Sequence, residues 1–578
     1  MQSVYHMRAA ASNYRRPIRS LLWVLAGIAT FWAFGFARLS GTDLWWHLAA
    51  GRWIWQHKSF PAQDPFSFTA HQKWVIDSWL SDVVLYQWSR LFGLYSLVYW
   101  KWTLIIAIFL LLAKVNRQIS KDQVAGFLAA VFAAAVAQPF LDIRPHLFSL
   151  LFLVLLLLIM SGEERASRRQ FLLIPALFLV WANFHAGVIL GVLLLPVLLM
   201  RDYLNPAKRN AASALTAVAW LATLANPNGI GIYRQSLVYA LRGQSLFSER
   251  IAEWQGPFVP GGIVSPLYPV ALLLFATSAV LLLCRKSRKR FLSLVGIGGV
   301  TMLMSLQSRR LIPAFAICAA PTLAGVAAPF SRRLVRKLPF FALPVVITCI
   351  AAFVLLRYPL RPRAFHHLTL EYTFPVESVN FIETNGLRGN IFAYYNWGGY
   401  LHWRIPGQMK VFIDARASAL FDGATFRDYV KIFAVEPGWE LVMERIPVDY
   451  VLWPIEEGPI YNSLLKNGHW RFLYQDAVSV LLVRSETSLA PLHDTPDSAY
   501  KDLSLGLVAM DHRAWSEAET FLRRALIEMP YLEPACSRLA VVKIKEGMTE
   551  EGERALRQCD AIFPDSERRK RVGQMLQK

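Results

Sequence analysis

Apolar segments about as long as a bilayer is thick recur along roughly the first 360 residues of this chain, and no other feature constrains its fold as much. A hydrocarbon core of about 30 Å is spanned by a helix of roughly 17 to 25 residues, because backbone polar groups must find their partners internally there. Such segments fall at residues 21–37, 95–113, 124–140, 146–160, 171–184, 187–200, 211–225, 266–284, 291–306, 311–330 and 340–356. They predict a multispanning α-helical membrane domain over residues 1–357 with about 11 spans. The composition agrees, since 55% of the 578 residues are hydrophobic and 17% are charged.

Charge sets the expected topology, because Lys and Arg beside span ends stay cytoplasmic. Starting from Arg15, Arg16 and Arg19, every second connection is basic: Lys114 to Lys121, Arg165 to Arg169, Arg201 to Arg209, Arg285 to Arg290, and Arg332 to Lys337. The N-terminus is therefore expected in the cytoplasm and everything after the last span outside it. The first apolar stretch runs on to Arg38 without a small-residue cleavage site and reads as a retained span. The alternation also explains much of the +21 net charge, which sits in short loops rather than on a stripe and so argues against nucleic acid as a partner. Membrane lipids are the expected surroundings.

With that topology, the uncommon polar residues of the membrane half gather on the outer side. The large first external loop, 39–92, holds Asp43, His47, Asp64 and Asp77 among tryptophans. Later outer turns hold Arg144 and His146, then His185, then Asn226 and Glu253, and last Arg309 and Arg310. Ionisable groups at membrane depth cost roughly 2.5 to 3.5 kcal/mol each on insertion scales, so their convergence on one face points to a site. Asp43 and His47 share a face if their segment is helical, where they suit a divalent metal or a proton relay. Trp45, Trp46, Trp53 and Trp55 suit an interfacial belt or a sugar ring. A carboxylate to deprotonate an acceptor hydroxyl and arginines to hold a phosphate suit transfer from a polyprenyl-phosphate sugar. Plainer roles stand beside these: Asp43 as a helix cap, His146 and His185 as packing residues, Asn226 as a turn former.

The runs Asp43-Leu-Trp-Trp-His-Leu, Phe60-Pro-Ala-Gln-Asp64-Pro-Phe-Ser-Phe, Trp74 to Leu80, Arg144-Pro-His-Leu-Phe-Ser149, Asn183-Phe-His-Ala-Gly187 and Asn226-Pro-Asn-Gly229 resemble a bacterial group of multispanning proteins similar to GT-C glycosyltransferases. The resemblance covers roughly residues 20 to 480. It implies a GT-C-like membrane fold in the bacterial cytoplasmic membrane. It also implies an inverting transfer of a hexosyl or pentosyl unit from a polyprenyl-phosphate donor to an extracytoplasmic acceptor in the cell envelope. Residue by residue, Asp43 falls at the catalytic first-loop acid, with Asp64 or Asp77 as a second. The chain departs from the usual pattern in that Leu44, not another acid, follows Asp43.

After the spans the composition turns polar. Residues 358–488 read as a small extracytoplasmic α/β domain, with strands at 390–401, 410–416, 448–453 and 479–483 and helices at 375–384 and 426–434. Trp397, Tyr400, Asp414 and Arg416 are its acceptor-binding candidates, with a buried ion pair as the alternative for the last two. Residues 489–578 read as helices with tetratricopeptide-like spacing, in which Gly506, Ala518, Leu522, Ala525 and Pro530 are followed by Ala540, Leu556 and Pro564, and suggest a protein partner. Of five cysteines, Cys536 and Cys559 are placed to pair if this segment is exported. A non-enzymatic alternative remains, a lipid or solute transporter or a scaffold for the helical segment. It fits less well, because the polar groups lie at span ends and the two halves show no repeat.

Overall fold

The computed structural model describes residues 2–35, 41–71, 74–162, 167–234, 251–261, 265–285, 289, 291–335, 338–339, 341–356, 373–416, 420–456, 460–530 and 532–562. Ala37, Leu39, Arg165, Arg336, Lys337, the start of the polar segment at Arg357, and Pro564 lie outside the described residues. The chain forms two compact units: Met1–Ala37, Val75–Val84 and Ser96–Leu356 make the first, and Arg38–Trp74, Leu85–Tyr95 and Arg357–Lys578 the second. The first external loop was expected to belong to the membrane domain. Most of it folds instead with the C-terminal half.

The first unit is helical. Leu94–Ser120, Gln123–Phe140 and Arg309–Leu334 are long and apolar enough to cross a bilayer, and Ser20–Gly35, His146–Met160, Val188–Leu198, Tyr268–Leu283, Leu292–Gln307 and Ala342–Leu356 are shorter apolar helices. The expected segment 171–184 is helical within Arg168–Phe184, and 211–225 is helical as far as Ala222, in Pro206–Ala222. At about 1.5 Å per residue, Val188–Leu198 reaches only about half the hydrocarbon thickness. The chain continues from it into the short helix Met200–Tyr203. Small residues let the central helices approach closely. Ala125, Ala129, Ala130, Ala133 and Ala134 are buried on Gln123–Ala137, which packs against Ile312–Val335 with its own buried Ala316, Ala319, Ala320 and Ala324. Asp122 caps the first of these by accepting from Ala125 N–H at 2.7 Å and also meets Ser331 Oγ at 2.8 Å and Arg332 at 3.5 Å.

The second unit is built on a five-stranded sheet: β1 (Gly389–Ala393), β2 (Met409–Val411), β3 (Tyr450–Pro454), β4 (Trp470–Gln475) and β5 (Ser479–Arg484), in the order β2-β1-β3-β5-β4. β1 is parallel to β2 and β3, and β5 is antiparallel to β3 and β4. Every residue of β3 is buried. Two expected strands are shorter than read: 390–401 ends at Ala393, followed by the 3-10 turn Tyr395–Trp397 and the helix Gly398–Arg404, and 410–416 ends at Val411. The free edge of β2 is covered by the first-loop segment: Val411 N–H donates to Phe66 at 3.0 Å and Phe68 N–H donates to Val411 at 3.3 Å. Four C-terminal helices follow, Ala499–Asp511, Trp515–Glu528, Glu533–Lys545 and Thr549–Ile562. Leu503, Ala518, Leu522, Ala525, Ala535 and Leu539 form their core, and Cys536 and Cys559 are joined by a disulfide between the last two helices.

Candidate functional site

In the first unit, the motif asparagines hold the segment Val75–Val84 in place. Asn183 Oδ1 accepts from Trp79 Nε1 at 3.1 Å, and its Nδ2 donates to the Leu179 and Ala225 carbonyls, each at 2.9 Å. Asn228 Nδ2 donates to the Ile76 carbonyl at 3.0 Å, and Ser81 Oγ donates to that of Phe184 at 2.5 Å. Asp77 sits half-buried on this pinned segment. Asn226, expected to bind substrate, spends its amide on its own turn: Nδ2 donates to Thr223 and Gly229, and Oδ1 accepts from Asn228 N–H at 2.8 Å. The turn reading holds for it.

His185 ends the helix Arg168–Phe184 in an extended conformation. Its Nδ1 accepts from Gly187 N–H at 3.1 Å, which puts the ring proton on Nε2 of the neutral imidazole. Ser149 Oγ lies 2.8 Å from the same nitrogen and accepts from Trp181 Nε1 at 2.8 Å. The close approach requires glycine at 187, since a Cβ there would lie 2.8 Å from both Ser149 Cβ and His185 Nδ1.

Arg144 and Glu253 form an ion pair at 2.8 Å, both partly buried. Burial alone would raise the Glu253 carboxyl, but Arg144 and Arg310 outweigh it and hold the group below the usual carboxylate range. His146 donates from Nε2 to the Phe140 carbonyl at 2.9 Å. The two neighbouring arginines differ. Arg309 is wholly buried, and its guanidinium donates to the carbonyls of Gly256 at 3.1 Å, Val259 and Gly261. That use corrects its expected phosphate-binding role, because the group is spent on tying a loop. Arg310 is exposed and makes no ion pair among the described residues. Lys101, overlooked inside an apolar span, is 1% exposed and lies 3.7 Å from Asp142. A lone lysine in such a segment was the available signal.

In the second unit, Asp43 opens the helix Asp43–His57, half-buried, and His47 lies one turn on and is buried, its ring centroid 3.6 Å from that of Trp46. The expected shared helix is present. Trp45 packs edge-on against Phe374 and Tyr400 at centroid distances of 5.4 and 5.0 Å. Two glycines make this possible: a Cβ at 398 would lie 3.2 Å from Asp414 Cα, and one at 399 would lie 3.1 Å from Trp46 N. Trp397 and Tyr400, expected to meet an acceptor, are core residues; Trp397 Nε1 donates to Thr373 at 3.2 Å and the Tyr400 hydroxyl accepts from Arg404 at 2.7 Å.

Asp64, Asp414, Arg416 and His402 form one buried network. Arg416 donates from Nε and Nη2 to the two oxygens of Asp414 at 2.9 and 2.6 Å, and reaches Asp64 through Nη1 and, at 3.0 Å, through Nη2. Asp64 also accepts from Ser67 N–H at 2.7 Å, and the guanidinium lies 4.6 Å from the Trp74 ring. His402 donates from Nε2 to Asp414 at 2.9 Å. Burial disfavours charge on Asp414, yet Arg416 and His402 hold its carboxyl well below the usual range. Burial lowers His402 despite its acid partner, so it stays neutral at neutral pH. Asp64 as a catalytic acid and Asp414 with Arg416 as ligands are thereby corrected, since all three side chains are buried and spent on one another. The signal was three ionisable groups in apolar company, which must pair when buried. Among the described residues no three His, Cys, Asp or Glu come together as a metal set.

No family model matches the sequence, and no curated protein matches it either. Solved structures do. The archaeal oligosaccharyltransferase AglB from Archaeoglobus fulgidus, in complex with an inhibitory peptide and a dolichol-phosphate, superposes with a TM-score of 0.55 at 12% identity, covering 92% of this chain and 86% of that one. The Archaeoglobus fulgidus oligosaccharyltransferase tethered to an acceptor peptide gives 0.50 at 12% identity, covering 82% and 75%. With apolar helices over the first 356 residues, the chain has a GT-C-like membrane fold.

Proposed function

We propose that this protein is a glycosyltransferase of the bacterial cytoplasmic membrane that moves a sugar from a polyprenyl-phosphate donor to an extracytoplasmic acceptor. The observation that carries the reading is the fold's likeness, along 92% of the chain, to an oligosaccharyltransferase solved with dolichol-phosphate. In the proposed inverting step the acceptor oxygen attacks the anomeric carbon, the bond from that carbon to the phosphate oxygen breaks, and its electron pair leaves with the polyprenyl phosphate. The acceptor's proton passes to the Asp43 carboxylate, with Asp77 the second candidate. Arg310, exposed and without an ion pair among the described residues, meets the phosphate charge, as does Arg144 if it exchanges Glu253 for it. His47, His146 and His185 are proposed to position these groups rather than to transfer protons.

The topology is part of the proposal: N-terminus cytoplasmic, second unit outside. It is supported by the alternation of basic connections and by the Cys536–Cys559 disulfide, which suits an oxidising compartment. The C-terminal helix pairs are proposed as a tetratricopeptide-like surface for a protein partner.

The test is transfer of labelled sugar from a polyprenyl-phosphate donor to envelope material, comparing wild type with Asp43→Asn at equal folded protein. Loss of roughly 100-fold or more is expected for removal of a general base. Equal transfer by both removes Asp43 from the chemistry. No transfer by either favours a transporter or scaffold.

A further inference from the structure

Two buried carboxylates in the second unit have no basic partner among the described residues. Glu377, on the helix Val376–Thr384, is 1% exposed, and Asp476, in the turn between β4 and β5, is 5% exposed. Their hydrogen bonds differ in kind. Asp476 accepts four: from Val478 N–H at 2.9 Å, Ser479 N–H at 2.7 Å and Ser479 Oγ at 2.8 Å on one oxygen, and from Ser378 N–H at 2.9 Å on the other. Burial pushes the Asp476 carboxyl up, and these four donors work against it by favouring the ionised form. Glu377 receives both its donors on Oε1, Ser498 Oγ at 2.7 Å and Asn380 Nδ2 at 2.9 Å, while Oε2 is buried with no partner. An ionised oxygen so placed is costly; a protonated one becomes a donor in need of an acceptor. A cavity of about 10 Å³, the size of one water, is lined by Glu377 together with Phe374, Asp476, Tyr500 and Leu503.

We propose that Glu377 is a proton-binding site that fastens the C-terminal helices to the α/β domain: the neutral acid donates from Oε2 to a water in this cavity while Oε1 holds Ser498. Ser498 is the N-cap of Ala499–Asp511, accepting from Lys501 N–H at 3.0 Å, so the acid grips the first residue of the helical array. The other ties there are neutral: Ala477 N–H to Ser504 Oγ at 2.9 Å, and Asn385 paired with the His493 backbone. Among the described residues, the titratable groups beside Glu377 are Asp476 and Tyr474 from β4 and its turn and Tyr500 from the helix, while Asp494, in the connection, acts on Tyr474. Lys501 gives its charge to Asp494 and Asp497. Ionising Glu377 therefore adds a negative charge beside Asp476 with no basic partner among the described residues to offset it. Burial, and then Asp476, push the Glu377 carboxyl up against the bonds from Ser498 and Asn380. A carboxyl whose folded-state pKa is raised stabilises at low pH and loses that contribution as pH rises through the folded value.

The experiment is hydrogen exchange of the 499–511 amides in the detergent-solubilised full-length protein, as protection factors corrected for intrinsic rate, from about pH 5 to about pH 9. Wild type is expected to lose roughly tenfold or more in protection as pH rises. Glu377→Gln, which keeps the shape of the neutral acid and a donor at Oε2, is expected to stay protected throughout, and Glu383→Gln, at an exposed carboxylate, to follow wild type. Flat wild-type protection overturns the proposal. So does a Glu377→Gln protein less protected at every pH, which would mean that the carboxylate or a cation on it holds the helix. So does loss of the pH dependence in Asp476→Asn but not in Glu377→Gln.

Discussion

Arg309 and Arg310 are neighbours with opposite fates, and the contrast shows where reading residue types stops. The sequence places both on the outer side, where few positives are expected, but only the fold decides which one turns inward to the Gly256, Val259 and Gly261 carbonyls. Arg310→Ala is expected to leave the melting temperature within about a degree and to cut transfer roughly tenfold or more, chiefly through KM for the lipid-linked donor. Arg309→Ala should instead lower stability by about 3 kcal/mol, read as thermal unfolding in detergent, because a wholly buried side chain is removed and three loop carbonyls lose a charged donor. An Arg310→Ala protein with wild-type KM and kcat would show that the exposed charge has no part in binding. Gly187 carries a similar lesson. Its place in the Asn183-to-Gly187 motif was visible, but the reason for it is the Ser149–His185 contact, which involves a residue 38 positions upstream. Gly187→Ala is expected to cost about 1 to 3 kcal/mol from overpacking. Unchanged thermal unfolding would mean that the helix ends can part at no cost.

Among elements, the least legible was the most consequential. The strands of the α/β domain were mostly visible as apolar runs, whereas β4, of which only Trp470 is fully buried, was not read. Nor did the first external loop announce itself as the cover for the edge of β2. Pairing across 352 positions leaves no periodic trace, and the motif Phe60 to Phe68 looked like a site when it is a docking strip. Removing the centre of the network by Arg416→Ala leaves Asp64 and Asp414 buried without their cation and is expected to cost about 3 to 5 kcal/mol. Limited proteolysis should then find cleavage between residues 58 and 71 that the wild type resists. Equal resistance in both would show that the backbone pairing alone holds the strip. The acid side of the profile follows from Asp414, whose carboxyl is held below its unfolded value. Its contribution is complete above the unfolded pKa and is lost only as pH falls through the lower, folded one. Asp414 therefore causes no loss between about pH 5 and pH 8, whereas His402, held by burial below the ordinary imidazole value, costs stability once pH falls below about 6.5, where the unfolded chain takes up the proton first.

For the whole molecule, the apolar segments were legible because hydrophobic length is written locally, and described helices fall on them, three of which are long and apolar enough to cross a bilayer. The division into units was not, since it depends on which distant partners each loop segment finds. The proposed export of the second unit makes a plain prediction. In intact cells Cys536 and Cys559 should react with a membrane-impermeant maleimide after mild reduction and not before. Labelling that requires cell lysis would place them inside and reverse the topology.

The network that joins Asp64 to Arg416 also sets a schedule for making the protein. The two residues are 352 positions apart, so at roughly 5 to 20 residues per second the strip emerges on the order of 20 to 70 seconds before the sheet that receives it. For that time a segment with an unpaired edge, an acid meant for burial and several aromatic rings waits incomplete. Synthesis rate and the chaperones of the compartment it enters thereby become part of what this sequence needs in order to fold.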